Sequence, residues 1–286
     1  MNKLALKTRL IVVIAALCIV CILSVAFIST SKSKTALLTM ATNQLESSSI
    51  MMKSQIERYL NTSELFTLRL SKDRLIEGLF IAYEGAFYGG GFSTDKDEKI
   101  ITPTYLANEK LYGKRTRELA KDFGFSNIML ASVNGQIIMS SVSDPKYNFL
   151  GRSLTKGVLK GTNLESCFNK AKAQKDDKVF FSDFQNYKTA SSVYSFLCKK
   201  AYAEFDHEDE GIYKGDELGV VIAQLSNETL AKITGQRTGM GETGQTYLIG
   251  PDYKLRSDFA LQRDKFNMNN SLKVIFLLKL KLWKIP

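Results

Sequence analysis

Leu10 to Ile28 forms an unbroken apolar run of 19 residues, in which Ser24 is the one weakly polar side chain. At a rise of about 1.5 Å per residue, such a run crosses a hydrocarbon core of about 30 Å. A helix is the expected form, because lipid offers no partner to a bare backbone amide. Lys3, Lys7 and Arg9 precede the run without an acidic residue. The positive-inside tendency therefore places residues 1–9 in the cytoplasm, a transmembrane helix over 10–30 and the rest of the chain outside. A cleaved signal peptide would share the charged start and the small residues Ser29, Thr30 and Ser31. Its apolar region would run about 7–15 residues, shorter than this one.

Beyond the run the apolar pattern turns periodic. Leu38, Leu45, Met52, Tyr59 and Phe66 recur at intervals of seven, and no Pro or Gly interrupts the chain before Gly78. The companion positions Ala41, Ser48, Gln55 and Thr62 are small or polar. This half-apolar heptad seam predicts a long helical stalk, assigned to residues 31–74, in a helix that runs on to the glycines between Gly85 and Gly91. The seam serves either to pair with a second copy, giving a homodimer through the long helix, or to lie along its own domain. Pro103 opens a second predicted helix, Thr104–Phe123, which Gly124 closes.

The period then drops to two. Ser126–Val133 and Gln136–Val142 read as strands around Asn134-Gly135, the favoured pair of a two-residue hairpin turn. A helix is predicted over Asn163–Gln174, strands over Val179–Phe184, Ser192–Tyr202 and Leu218–Leu225, and a short helix over Asn227–Thr234 with Ser226 as its N-cap. A second hairpin, Gln245–Ile249 with Lys254–Ser257, turns at Pro251-Asp252. These elements suit an α+β fold: a PAS-like lobe with a five-stranded antiparallel sheet, one face on the long helix and the other closing over a small cavity.

Charge narrows the function. The net charge is +10, a value compatible with nucleic-acid binding, but residues 1–9 carry +3 and residues 267–286 carry +4, leaving +3 for the body between. Basicity at the two ends implies membrane topology and not a phosphate-binding face. Cys18 and Cys21 sit inside the apolar run, where packing is expected over zinc or redox chemistry. Cys167 and Cys198 lie in the exported part; they form either a disulfide or two buried thiols.

Candidate chemistry is sparse. Gly239 to Gly244 fits G-x-G-x-x-G, but a helix precedes it and a strand follows, the reverse of a dinucleotide loop. The only histidine, His207, lies in the acidic loop Asp206–Glu210 with no nucleophile motif near it, and that loop lacks the ligand spacing of a calcium site. No catalytic role, metal site or cofactor is expected. Aromatic residues crowd the stretch from Phe180 to Phe196 instead. Aromatic walls with a few polar groups are the make-up of a small-molecule pocket, so Asp183, Tyr187, Tyr194 and Phe196 are the expected ligand contacts.

Three stretches carry a family likeness. Thr238–Asp258 (TGMGETGQTYLIGPDYKLRSD), Val179–Tyr202 and Glu217–Ile233 resemble segments of bacterial receptors with a double Cache ectodomain, notably methyl-accepting chemotaxis proteins. The likeness implies a distal sensor lobe over residues 75–235, which binds a small solute, and part of a membrane-proximal lobe over 236–270. It further implies a single-pass protein of the bacterial inner membrane with its bulk in the periplasm. The family would continue with more strands, a second membrane helix and a signalling hairpin. Residues 271–286, a Lys-spaced apolar tail, depart from that pattern and are read as an altered reading frame or truncation after about Leu272, with an amphipathic membrane-surface segment as the alternative. The distal-lobe tryptophan of amino-acid-binding members has no counterpart, since the only Trp is Trp283. Two alternatives remain at this stage: the sensor input of a histidine kinase or nucleotide cyclase, and a membrane-tethered solute-binding protein without signalling output.

Overall fold

The structure, a computed structural model, describes residues 6–142, 144, 149–187, 192–237 and 240–273. One helix, α1 (Leu6–Leu70), is continuous through the apolar run and the heptad seam. Among the described residues it is the one helix long and apolar enough to cross a membrane, and its apolar window is wholly unburied. The expected continuation to the Gly85–Gly91 cluster is not what forms. α1 stops at Leu70 and α2 (Arg74–Gly89) begins afresh. The break needs neither Gly nor Pro. The Asp73 carboxylate accepts from the Leu75 amide and caps α2, and the Ser71 hydroxyl donates back to the Leu68 carbonyl. Lys72, between them, pairs with Asp177 at 2.7 Å and pins the corner to the lobe.

α3 (Pro103–Asp122) starts at its N-cap Thr102, whose hydroxyl accepts from the Tyr105 amide, with Pro103 in the first turn. The strands β1 (Phe125–Ala131) and β2 (Ile137–Ser140) are shorter than expected, and their turn is of another type. The Gly135 amide donates to the Ser132 carbonyl and the Ser132 amide to the Gln136 carbonyl, which leaves a three-residue loop, Val133-Asn134-Gly135. Gly135 takes φ +84° in its last position, the bulged hairpin that ranks behind the two-residue turn in frequency. The chain continues through α4 (Asn163–Ala173), β3 (Phe180–Tyr187), β4 (Ser192–Tyr202), β5 (Glu217–Leu225), α5 (Asn227–Thr234) and α6 (Met268–Lys273). Ser226 caps α5 through a bond from the Thr229 amide, as the sequence predicts.

The sheet order is β2-β1-β5-β4-β3, antiparallel throughout. This is the expected α+β architecture. One face packs Ile128, Leu130, Leu197, Val221, Ala223 and Leu225 against α1, α2 and α3 through Leu70, Ile76, Phe80, Tyr83 and Leu119. The opposite face carries Met129, Tyr194, Phe196, Val220 and Ile222 under Leu164, Cys167 and Phe168 of α4. At Gly219 (φ +139°) a Cβ would stand 2.2 Å from the Ala131 carbonyl oxygen, so β5 reaches β1 there only with glycine.

The heptad seam divides along its length. Leu38 and Leu45 are exposed, whereas Met52 is buried and Phe66 packs on the lobe's core. The tight glycine loop is held by Arg237, whose guanidinium donates to the Gly241, Glu242 and Gly244 carbonyls. It enters the second hairpin, which forms as a single bridge, Ile249 to Leu255, and not as two full strands. Tyr253 (φ 59°) takes the left-handed place after Pro251-Asp252. Residues 274–286, most of the expected tail, lie outside the described residues.

Candidate ligand-binding face

Strand periodicity puts alternate residues on one face, and register decides which of them align across strands. Asn127 pairs with Gln224, Gln224 with Phe196, and Phe196 with Ser182. These four form a row across β1, β5, β4 and β3 on the face that α4 covers. A bulge between Ser182 and Gln185 then switches the parity of β3. Because of it, Tyr187 joins Ser182 on the α4 side, and Phe184 turns to the other side to pack on Val193, Leu230 and Met268.

Around this row stand Tyr187, Tyr194 and Phe196, all buried. Phe149 inserts between them, with ring centroids 5.7 Å from Tyr187, 5.8 Å from Tyr194 and 5.9 Å from Phe196, each near perpendicular. Three of the four expected contact residues therefore meet. The fourth, Asp183, does not join them. It sits in the bulge with a half-exposed carboxylate and receives Arg256 bidentately, Nε to Oδ1 at 2.9 Å and Nη2 to Oδ2 at 2.7 Å.

The polar groups of the face divide by satisfaction. Asn127 is fully engaged: its Oδ1 accepts from the Ser141 amide and from the Ser140 and Ser141 hydroxyls. The Gln224 Oε1, Tyr187 hydroxyl and Ser182 Oγ are buried without a hydrogen-bond partner. Thr162, Ser182 and the Leu164 backbone lie around the Tyr187 hydroxyl as weak partners, none of them at normal hydrogen-bond geometry. Burial pushes that hydroxyl's pKa well up, so it stays protonated and is available as a donor. At the lower edge Tyr194 and Gln224 line a cavity of about 280 Å³ with Ser126, Val142, Asn227 and Glu228. The Asn227 amide donates to the Val193 carbonyl at 2.7 Å, which leaves its buried Oδ1 as an unpaired acceptor beside Gln224.

Gln224, Ser182 and Asn227 were not among the expected contacts. Gln224 was visible in principle, as the polar residue in the apolar run Leu218–Leu225. Ser182 was not, since its place beside Phe196 depends on the register of β3 against β4, which no residue type announces.

The same face holds Cys167 of α4 and Cys198 of β4, which the structure joins with Cα atoms 5.9 Å apart, a normal disulfide span. Among the described residues no group of three His, Cys, Asp or Glu side chains is placed to hold a metal ion.

Comparisons with known proteins agree with this architecture. The family profile dCache_1, Cache domain, matches residues 33–273. Among solved structures, the sensor domain of the V. cholerae histidine kinase DctB is similar at 14% identity and TM-score 0.44, over 67% of this chain and 58% of that one. The sensory domain of the Campylobacter jejuni chemoreceptor Tlp3 is similar at 12% identity and TM-score 0.36, over 75% of each chain. The ligand-binding domain of the Pseudomonas fluorescens chemoreceptor CtaA, in complex with L-serine, is similar at 17% identity and TM-score 0.35, over 77% and 78%. The chain thus spans little more than half of the DctB sensor domain. No curated protein matches it. With a profile match over most of its length, the chain belongs to the Cache domain family, in its dCache_1 form.

Proposed function

We propose that the protein binds a small polar solute reversibly on the α4-covered face of the sheet, as the extracytoplasmic sensor of a membrane-anchored receptor. One observation carries this reading: the Gln224 Oε1, Tyr187 hydroxyl and Ser182 Oγ are buried around one aromatic cluster without a hydrogen bond of normal geometry. An unsatisfied buried polar atom costs about 1–3 kcal/mol. Three on one face amount to a site that awaits its hydrogen-bond partners. The ligand's groups would meet those atoms, and Phe149, Tyr194 and Phe196 would supply the apolar walls. The membrane run of α1 and the family membership support an anchored sensor in the bacterial inner membrane. The likeness of Thr238–Asp258 to chemotaxis receptors supports chemotaxis as the output.

A thermal-shift screen of the full chain in nanodiscs tests the reading, with a panel of amino acids, carboxylates and amines. A ligand present at 100 times its Kd stabilises the native state by about 2.7 kcal/mol. The expected result is a clear rise in melting temperature for one class, lost in Gln224→Met. A flat melt across all three classes overturns it.

The exposed stretch of the seam supports a second part of the proposal. Leu38 and Leu45 are unburied beyond the membrane run, and we assign them to pairing with a second copy of the chain.

A further inference from the structure

Asp183 and Arg256 belong to different parts of the chain, β3 of the sensor lobe and the hairpin that follows the glycine loop. Arg256 is nearly buried, and its Nη2 also reaches Asp252 at 3.0 Å. The room for its guanidinium comes from Gly250, where a Cβ would stand 2.6 Å from the guanidinium carbon. The hairpin backbone supports it as well, since the Arg256 amide donates to the Leu248 carbonyl at 2.7 Å. On the other side, the Asp183 carbonyl accepts from Asn163 Nδ2 at 3.2 Å, and Gln185 Oε1 accepts from the Asn163 amide at 2.7 Å. Asn163 is the first residue of α4. An uninterrupted path of polar contacts therefore runs from the hairpin through the bulge to the start of the helix that roofs the sheet.

We propose that the Asp183–Arg256 pair is a coupling device that ties the conformation of the Leu248–Arg256 hairpin to the N-terminus of α4. This assigns Asp183 a positioning role and not a ligand contact. It deepens the proposed function, because α4 covers the proposed ligand face, but the coupling itself requires no ligand. The bulge is the lever. Its two residues, Asp183 and Phe184, point away from the α4 face towards the hairpin and α6, whereas their neighbours Ser182 and Tyr187 point into it. A shift of the bulge moves both sides together.

Hydrogen exchange by mass spectrometry on the full chain in nanodiscs, without ligand, reads the coupling. In Arg256→Met, exchange is expected to quicken several-fold in peptides that cover 161–168 and 182–187 as well as in the hairpin. α3 and the β1–β2 hairpin, which do not pack on the bulge, should keep their wild-type rates. Asp183→Asn, a milder change at a half-exposed position, should give the same pattern. The double variant should exchange no faster than either single one, because both remove the same link. Quickening confined to residues 248–257 overturns the proposal, and so does a uniform rise over the whole lobe. Since no ligand enters the experiment, its failure leaves the binding reading standing, and a flat ligand screen leaves the coupling standing.

Discussion

Tyr187 shows what a single side chain contributes to the site. Its hydroxyl is buried, protonated and without a hydrogen bond of normal geometry, so in the proposed site it would favour an occupied protein over an empty one. Tyr187→Phe should leave the unliganded melting temperature unchanged or slightly raised. Ligand affinity should fall by up to about tenfold, the worth of one neutral hydrogen bond. Calorimetry with the ligand found in the screen checks both halves, and unaltered affinity would remove Tyr187 from the site. The residue-level reading of the sequence found the aromatics, because their clustering in β3 and β4 is visible in one dimension. It missed Gln224 and Ser182, whose roles come from cross-strand register. It placed Asp183 among the ligand contacts because a bulge that flips alternate side chains leaves no mark in residue composition.

Between elements, the strongest tie is that of α4 to β4. The Cys167–Cys198 bond closes a loop with a sequence separation of 31. Chain-entropy arguments value such a closure at about 3–4 kcal/mol. Non-reducing peptide mapping should recover the two cysteines in one cross-linked species. Cys167→Ala with Cys198→Ala should lower the unfolding free energy by about that amount, read as a lower denaturation midpoint, without altering the strand order. Two free thiols in the mapped wild-type protein would refute the bond. Elements were more legible than their limits. Strand and helix identities followed from period, and Ser226 announced α5 by its hydroxyl. The corner between α1 and α2 carries neither Gly nor Pro to announce it. Ser71 and Asp73 make the break with side-chain bonds instead. Asn134-Gly135 marked a turn correctly but not its length, since a third residue, Val133, joins the loop.

For the molecule as a whole, the seam divides between packing on its own lobe and a bare half assigned above to pairing. Its upper half lies on the protein's own lobe, where Tyr59 accepts from the Ser226 amide at 2.9 Å, and its lower half is bare. Leu45→Glu should convert a dimer into a monomer in light-scattering measurements on detergent-solubilised protein, with the lobe's melting temperature unaffected. An equal mass for wild type and variant would refute pairing through that half. The bare half has a further effect on where the sensor works. Ser29 to Ser47 is helical and wholly exposed, and at about 1.5 Å per residue it spans about 28 Å along its axis. The Debye length at physiological ionic strength is about 8 Å. With the apolar run across the bilayer, the headgroup layer takes up about 6 Å of that rise, and the lobe would stand about 22 Å, more than two screening lengths, from the lipid surface. Anionic and neutral membranes should then yield nearly the same ligand affinity.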